Sequence, residues 1–84
     1  MPISLFNVAK NEWIVVTGGG GFIGGHLVAE LRRRGYTKIR SVDVKPFDEW
    51  YQRFDDVDNR QHNLKEMQAC YDVCKDAKVV FNLP

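Results

Sequence analysis

Apolar residues in this chain fall in short runs, and the period of each run indicates its element. Residues 13–17 contain three consecutive apolar positions, Ile14, Val15 and Val16. Such a run predicts a strand buried on both faces, as a parallel sheet requires. Residues 22–34 place Phe22, Ile23, Leu27, Val28 and Leu31 at helical spacing, which predicts an amphipathic helix with that stripe on the sheet. Residues 38–44 give a second apolar run around Ile39 and Val42. Strand, helix and strand in this order make a right-handed βαβ unit.

The rest of the chain extends the pattern. Phe47, Trp50, Phe54 and Val57 recur at three- or four-residue spacing within residues 46–60, which predicts a short amphipathic helix covering the sheet rather than a bare loop. A sharper reading has Trp50 or Tyr51 shielding a nucleobase. Residues 61–64 read as a short third strand, or the end of one. Residues 65–75 read as a helix with Leu64, Met67, Tyr71 and Cys74 on its buried stripe, and residues 78–83 as a fourth strand. The expected fold is therefore α/β, a Rossmann-type half with a parallel sheet of about four strands in the order 3-2-1-4 and flanking helices. Residues 1–12 are a lead-in, and residues 13–84 are a partial dinucleotide-binding domain.

The turn between the first strand and the first helix carries the chemistry. Thr17 is followed by Gly18, Gly19, Gly20 and Gly21, then Phe22, Ile23 and Gly24. Gly18, Gly21 and Gly24 stand three apart, a G-x-x-G-x-x-G spacing. A tight glycine turn leading from a buried strand into a helix N-terminus presents backbone N–H groups and the positive end of the helix dipole to an anion. Asp43 ends the second apolar run nineteen residues after Gly24. A carboxylate there suits the ribose hydroxyls of an adenosine and favours NAD over its 2′-phosphorylated relative.

The run Thr17-Gly18-Gly19-Gly20-Gly21-Phe22-Ile23-Gly24-Gly25-His26-Leu27 resembles the T-G-G-x-G-F-I-G-S-H-L opening of the extended short-chain dehydrogenases/reductases, the NAD-dependent sugar-nucleotide epimerases and dehydratases. Val80-Phe81-Asn82-Leu83 is similar to the fourth strand of that family. Asp43-Val44-Lys45-Pro46 with Asp48-Glu49-Trp50-Tyr51-Gln52, followed by Phe81-Asn82-Leu83, resembles its GDP-mannose 3,5-epimerase-like branch. The resemblance implies NAD as cofactor, held by Gly18, Gly21, Phe22, Ile23, Gly24, Asp43, Val44, Lys45, Asn63, Leu64 and Leu83. Asn63 stands where the family has an aspartate that reaches the adenine, so an acceptor is kept and a charge lost.

The resemblance also implies what is missing. In the family, a Ser/Thr and a Tyr-x-x-x-Lys pair that work on the sugar come after the fourth strand, and this sequence runs to Pro84. Tyr71 and Lys75 match that spacing formally. They fall on the helix before the fourth strand, where Tyr71 belongs to the apolar stripe, so they are set aside as catalytic residues.

Bulk properties narrow the remaining choices. Eighty-four residues make one domain at most, and twelve basic against eleven acidic side chains leave a net charge of +1. That balance argues against nucleic acid or an anionic membrane as partner. Arg32, Arg33 and Arg34 suit the C-terminal end of the first helix, with Gly35 as its stop. No apolar run approaches the ~20 residues of a membrane span, and the N-terminus lacks the layout of a signal peptide, so a cytoplasmic location is expected. Cys70 and Cys74 stand four apart, which is not a zinc or redox spacing, and read as buried or half-buried free thiols. His26 reads as packing near the glycine loop, and His62 has no second ligand at metal spacing.

Two functions fit these observations. One is an NAD-binding module lacking the catalytic half. The other is a non-catalytic interaction protein that keeps the half-fold for association. The fourth strand would expose an apolar edge, so a homodimer or higher oligomer through that strand is expected.

Overall fold

A computed structural model describes residues 8–83. Strand β1 (Trp13–Thr17) leads to helix α1 (Phe22–Arg33), then strand β2 (Ile39–Asp43). A single 3-10 turn (Phe47–Glu49), strand β3 (Asp58–Gln61), helix α2 (Met67–Cys74) and strand β4 (Ala77–Asn82) follow. The four strands form one parallel sheet in the order β3-β2-β1-β4, as expected. Residues 1–7, most of the expected lead-in, lie outside the described residues.

β1 is covered on both faces. Ile14 and Val16 meet Leu27, Val28 and Leu31 of α1, together with Tyr36, Ile39 and Val57. Val15 points the other way and meets Val42 and Val73. This explains why the strand reads as an unbroken apolar run rather than an alternation. Ile14, Val15, Val16 and Leu31 are fully buried, each worth about 1.5–3 kcal/mol of transfer free energy.

α1 ends where glycine permits it. Gly35 has φ of 92°. Its N–H bonds to the Arg32 carbonyl at 3.0 Å, and the Tyr36 N–H bonds to the Leu31 carbonyl at 3.2 Å. This is a Schellman cap, and the two residues that close it, Leu31 and Tyr36, both belong to the core. Arg32 pairs with Asp56, while Arg33 and Arg34 both pair with Glu30.

Four local expectations shift. Phe22 and Ile23, placed with the sheet-facing stripe of α1, are exposed at its first turn, and Leu27, Val28 and Leu31 make the contact. The segment after β2 forms only the 3-10 turn and then runs extended, because Trp50 turns to φ −72° and ψ 139°. Phe54 and Val57 do pack on the α1-side core, but Trp50 goes elsewhere, as described below. β3 begins three residues earlier than its pattern suggested. Asp58-Asn59-Arg60-Gln61 has no apolar residue, yet it pairs with residues 40–43 of β2. Ion pairs from Arg40 and Arg60 to Asp58 hold it, as does a 2.8 Å bond from the Asn59 side-chain amide to the Phe54 carbonyl.

α2 is also turned from the expected face. Ala69 and Val73 are buried, while Met67 is 87% and Tyr71 65% exposed. Leu64 and Cys74 pack at the rim of the cluster formed by Val15, Val42 and Val73. The Arg40 guanidinium sets this rotation by donating to the carbonyls of Val73 at 2.6 Å and Lys75 at 3.3 Å. Asp76 follows in the left-handed region, φ 64°, a conformation Asp tolerates better than most residues.

Candidate functional site

The strand order reverses between β1 and β4, so the crevice at their C-terminal ends is where a doubly wound sheet takes a ligand. A cleft of about 520 Å³ lies there. It is lined by Thr17, Gly18 and Gly21 at and after the end of β1, by Val42, Asp43, Val44 and Lys45 at the end of β2, by His62 and Leu64 after β3, and by Asn82 and Leu83 at the end of β4.

Glycine shapes the loop at two points. Gly18 has φ of +74°, a conformation that L side chains rarely adopt. A Cβ on Gly24 would overlap the Gly18 carbonyl oxygen, so the first turn of α1 packs directly on the loop backbone. Gly21 differs. A Cβ there would meet nothing closer than the Gly18 carbonyl oxygen at 3.5 Å. Space therefore remains beside the helix start.

Gly21 is the N-cap of α1, and no side chain caps the helix. Its first turn carries no acidic residue. The first intrahelical bond runs from the Gly25 N–H to the Gly21 carbonyl at 2.9 Å. The N–H groups of Phe22, Ile23 and Gly24 precede it and have no acceptor one turn back within the helix. They are the donors this helix end offers to an anion.

Asp43 stands opposite. Its Oδ2 accepts the Gly20 N–H at 3.1 Å and its Oδ1 accepts the Lys45 N–H at 3.1 Å. Two backbone bonds thus fix the plane of the carboxylate. Each oxygen keeps further acceptor capacity on the cleft side. Across the cleft, the Thr17 hydroxyl donates to Asn82 Oδ1 at 2.6 Å and accepts the Leu83 N–H at 3.2 Å, which ties β1 to β4.

Seven of the eleven residues expected to contact a cofactor line this cleft: Gly18, Gly21, Asp43, Val44, Lys45, Leu64 and Leu83. Phe22, Ile23 and Gly24 do not line it; they form the first turn of α1, directly after Gly21. Asn63 does not line it; its Oδ1 accepts the Lys65 N–H at 3.0 Å in a local turn. His62 takes that place on the cleft wall, because β3 ends at Gln61 rather than at residue 64. Thr17, Val42 and Asn82 were also not anticipated. The alternation of β1, β2 and β4 could have indicated them once the strand ends were known.

Trp50 neither covers the sheet nor lines the cleft. It lies buried on Gly20, and its Nε1–H donates to the Lys45 carbonyl at 2.9 Å. Tyr51 is exposed and meets Phe22 edge-on at 4.8 Å, with His26 beside both rings. Tyr71 and Lys75 do not line the cleft. Tyr71 is set aside for its place on the exposed side of α2, not for burial in a stripe.

Cys70 is exposed and Cys74 half-buried, both as free thiols. Burial pushes the Cys74 thiol up, and Cys70 beside it adds to that shift. Among the described residues, no group of three or more His, Cys, Asp or Glu side chains could hold a metal ion, and no helix is long and apolar enough to cross a membrane. A second cavity, of about 470 Å³, lies beside the C-terminal end of α1, with Arg32 and Asp56 paired across it.

The sequence profile of the 3-beta hydroxysteroid dehydrogenase/isomerase family matches residues 15–83. The chain belongs to that family. It also belongs to the extended short-chain dehydrogenase/reductase and epimerase grouping that the glycine motif resembled.

A 30-residue stretch is 63% identical to an ADP-L-glycero-D-manno-heptose-6-epimerase of Alkalilimnicola ehrlichii, covering 36% of this chain and 9% of that protein. A short-chain dehydrogenase/reductase superfamily protein from Agrobacterium tumefaciens, solved with bound NAD, superposes with a TM-score of 0.71 at 27% identity. The match covers 87% of this chain and 20% of the other. An epimerase from Methanothermobacter thermautotrophicus shares the fold, with a TM-score of 0.72 at 19% identity over 88% of this chain and 23% of its own. This chain therefore spans a small part of the length of each relative.

Proposed function

We propose that this chain is an NAD-binding module and that the cofactor lies across the cleft. The observation that carries the reading is the uncapped start of α1. The Phe22, Ile23 and Gly24 N–H groups open beside Gly21, and a carboxylate fixed by two backbone bonds stands opposite. The pyrophosphate would sit on those N–H groups and the adenosine ribose on Asp43. Val44, Lys45 and Leu64 would flank the adenine, with Asn63 at its outer edge and Gly18 and Leu83 under the nicotinamide side. The bound cofactor supplies a hydride acceptor and donor. A sugar nucleotide is the substrate class of the epimerases and dehydratases this chain resembles, and the resemblance of residues 43–46, 48–52 and 81–83 to the GDP-mannose 3,5-epimerase-like branch points the same way.

Proton transfer to the sugar would come from residues outside this stretch, since Tyr71 and Lys75 stand away from the cleft. On this reading the chain alone binds cofactor without turning over substrate. Calorimetric titration with NAD and NADP tests it. Saturable NAD binding, weaker for NADP and weakened by Asp43→Ala, is expected. No heat up to millimolar NAD from a folded chain would overturn it.

A second reading, association between copies, draws on β4. Its outer edge has no strand partner among the described residues, and Val80 is 43% exposed there. Lys78-Val79-Val80-Phe81-Asn82 reads polar, three apolar, polar in either direction. A two-fold axis at Val80 would set Val79 against Phe81 of a second copy and Lys78 against Asn82, with no like charges opposed. The Lys78 bulge, where β4 slips against β1, keeps such a ladder short, so a weak homodimer is expected. Light scattering on a sizing column tests it, and a monomer at high micromolar concentration would exclude it.

A further inference from the structure

We propose that the segment after β2 works as a strap that holds the glycine loop in its phosphate-binding shape, and that Gly20 is glycine because Trp50 lies on it. The inference rests on the NAD-binding reading and adds Trp50 as a positioning residue that acts through Gly20.

Every group of Gly20 is engaged. Its N–H goes to Asp43 Oδ2 at 3.1 Å. Its carbonyl accepts the Tyr51 N–H at 2.8 Å. A Cβ on it would lie 2.8 Å from Cγ and Cδ1 of the Trp50 ring. In the motif this position is the variable one, so its neighbour in space explains glycine here better than the motif does. The flanking amides are also engaged: the Gly19 N–H bonds to the Val42 carbonyl at 3.0 Å and the Gly21 N–H to the Gly18 carbonyl at 3.1 Å. Three consecutive loop amides therefore serve the protein. Binding falls to the amides that follow, whose direction depends on the loop staying in place.

The strap is anchored at both ends and grips α1 as well. The Trp50 indole is held by its bond to the Lys45 carbonyl and by Phe47 edge-on at 5.1 Å. Tyr51 meets Phe22, the first helical residue, at 4.8 Å. Gln52 lies where a Cβ on Gly25 would come within 2.9 Å of its Cγ. The grip thus reaches Gly20, Phe22 and Gly25, spanning the loop and the helix start. A loop ordered in advance loses less freedom when a ligand binds.

A mutant cycle tests the pairing. Gly20→Ala in the wild-type background should weaken NAD at least tenfold, because the methyl and the indole compete for one space. In a Trp50→Ala background, itself weaker than wild type, Gly20→Ala should cost little more. Amide exchange supplies a readout independent of NAD: Trp50→Ala should speed exchange at Gly20 and Tyr51 while the β1 amides stay protected. If Trp50→Ala does not fold, Trp50→Phe decides, since it keeps a ring on Gly20 and loses only the bond to Lys45. Its exchange at Gly20 should stay near wild type. Additive effects of Gly20→Ala and Trp50→Ala, exchange at Gly20 unchanged by Trp50→Ala, or faster exchange at Gly20 in Trp50→Phe would overturn the inference. A wild-type chain that binds no NAD would overturn the cofactor reading instead, and the exchange data would still judge the strap.

Discussion

Asp43 and Gly20 are joined by a hydrogen bond from the Gly20 N–H to Asp43 Oδ2 at 3.1 Å. The carboxylate proposed to take the ribose is thus also a clamp on the loop proposed to take the phosphates. Removing it should harm both halves of the site. Asp43→Ala is expected to weaken ADP-ribose and NAD alike by at least tenfold, about 1.4 kcal/mol. Asp43→Asn keeps one acceptor and should fall between. Calorimetry with the three proteins checks this ordering. Equal affinities across them would separate Asp43 from nucleotide binding.

Gly21 and Gly24 should respond differently to the same added methyl. At Gly24 the methyl overlaps the Gly18 carbonyl, so the helix must move off the loop. Gly24→Ala is expected to cost about 1–3 kcal/mol of stability, as overpacked sites do. At Gly21 the backbone has φ −82° and the space is open. Gly21→Ala should leave the urea midpoint nearly unchanged and weaken NAD binding several-fold by filling the phosphate approach. Paired denaturation and binding curves decide it. A loss of stability at Gly21 as large as at Gly24 would show that the open space is not ligand space.

These two glycines mark how far the sequence could be read. The strand before them, the helix after them and the acid at Asp43 were all legible, because each rests on a local pattern that burial enforces. β1 is sandwiched between α1 and α2, so its apolar run could mean little else. β3 was misplaced because it is an edge strand without apolar residues, held by backbone pairing to β2 and by ion pairs to Asp58. Periodicity cannot register such a strand. The rotation of α2 was hidden for a related reason. Its larger apolar residues, Met67 and Tyr71, point outward, and the small ones, Ala69 and Val73, allow close approach to the sheet. The role of Trp50 depends on a contact between positions thirty apart in sequence, which no local pattern records.

Arg40 should be the costliest polar residue to remove. Its guanidinium is nearly buried, stacks on Trp13 at 4.5 Å, pairs with Asp58 and donates to the last carbonyls of α2. Arg40→Ala would leave the Val73 carbonyl without its donor and Asp58 with only Arg60. A loss of about 2–3 kcal/mol is expected, in line with charged hydrogen bonds to buried groups. That is a large fraction of the stability of so small a domain. Urea denaturation followed by circular dichroism reads it directly, and a loss below about 0.5 kcal/mol, as for an exposed pair, would contradict the bridging role.

Three carboxylates set the response to acid. Hydrogen bonds from Arg33 and Arg34 hold Glu30 down to about 2. A hydrogen bond from Arg32 lowers Asp56. Burial pushes Asp58 up, but hydrogen bonds from Arg60 and Arg40 outweigh it and leave the group lowered. In the unfolded chain all three titrate near their ordinary values of about 4. Within the window below that, the unfolded state binds more protons, so stability falls as pH falls. The contribution is complete above about pH 5 and is lost on the way down to the folded-state values. Asp56 is exposed and Glu30 pairs with two arginines on the outer side of α1, so solvent and salt screen their share. Asp58 is partly buried and should dominate. Asp58→Asn is therefore expected to flatten the fall of the urea midpoint between about pH 5 and pH 3 more than Glu30→Gln does. An acid limb unchanged by Asp58→Asn would show that the cluster of Arg40, Asp58 and Arg60 does not govern acid stability.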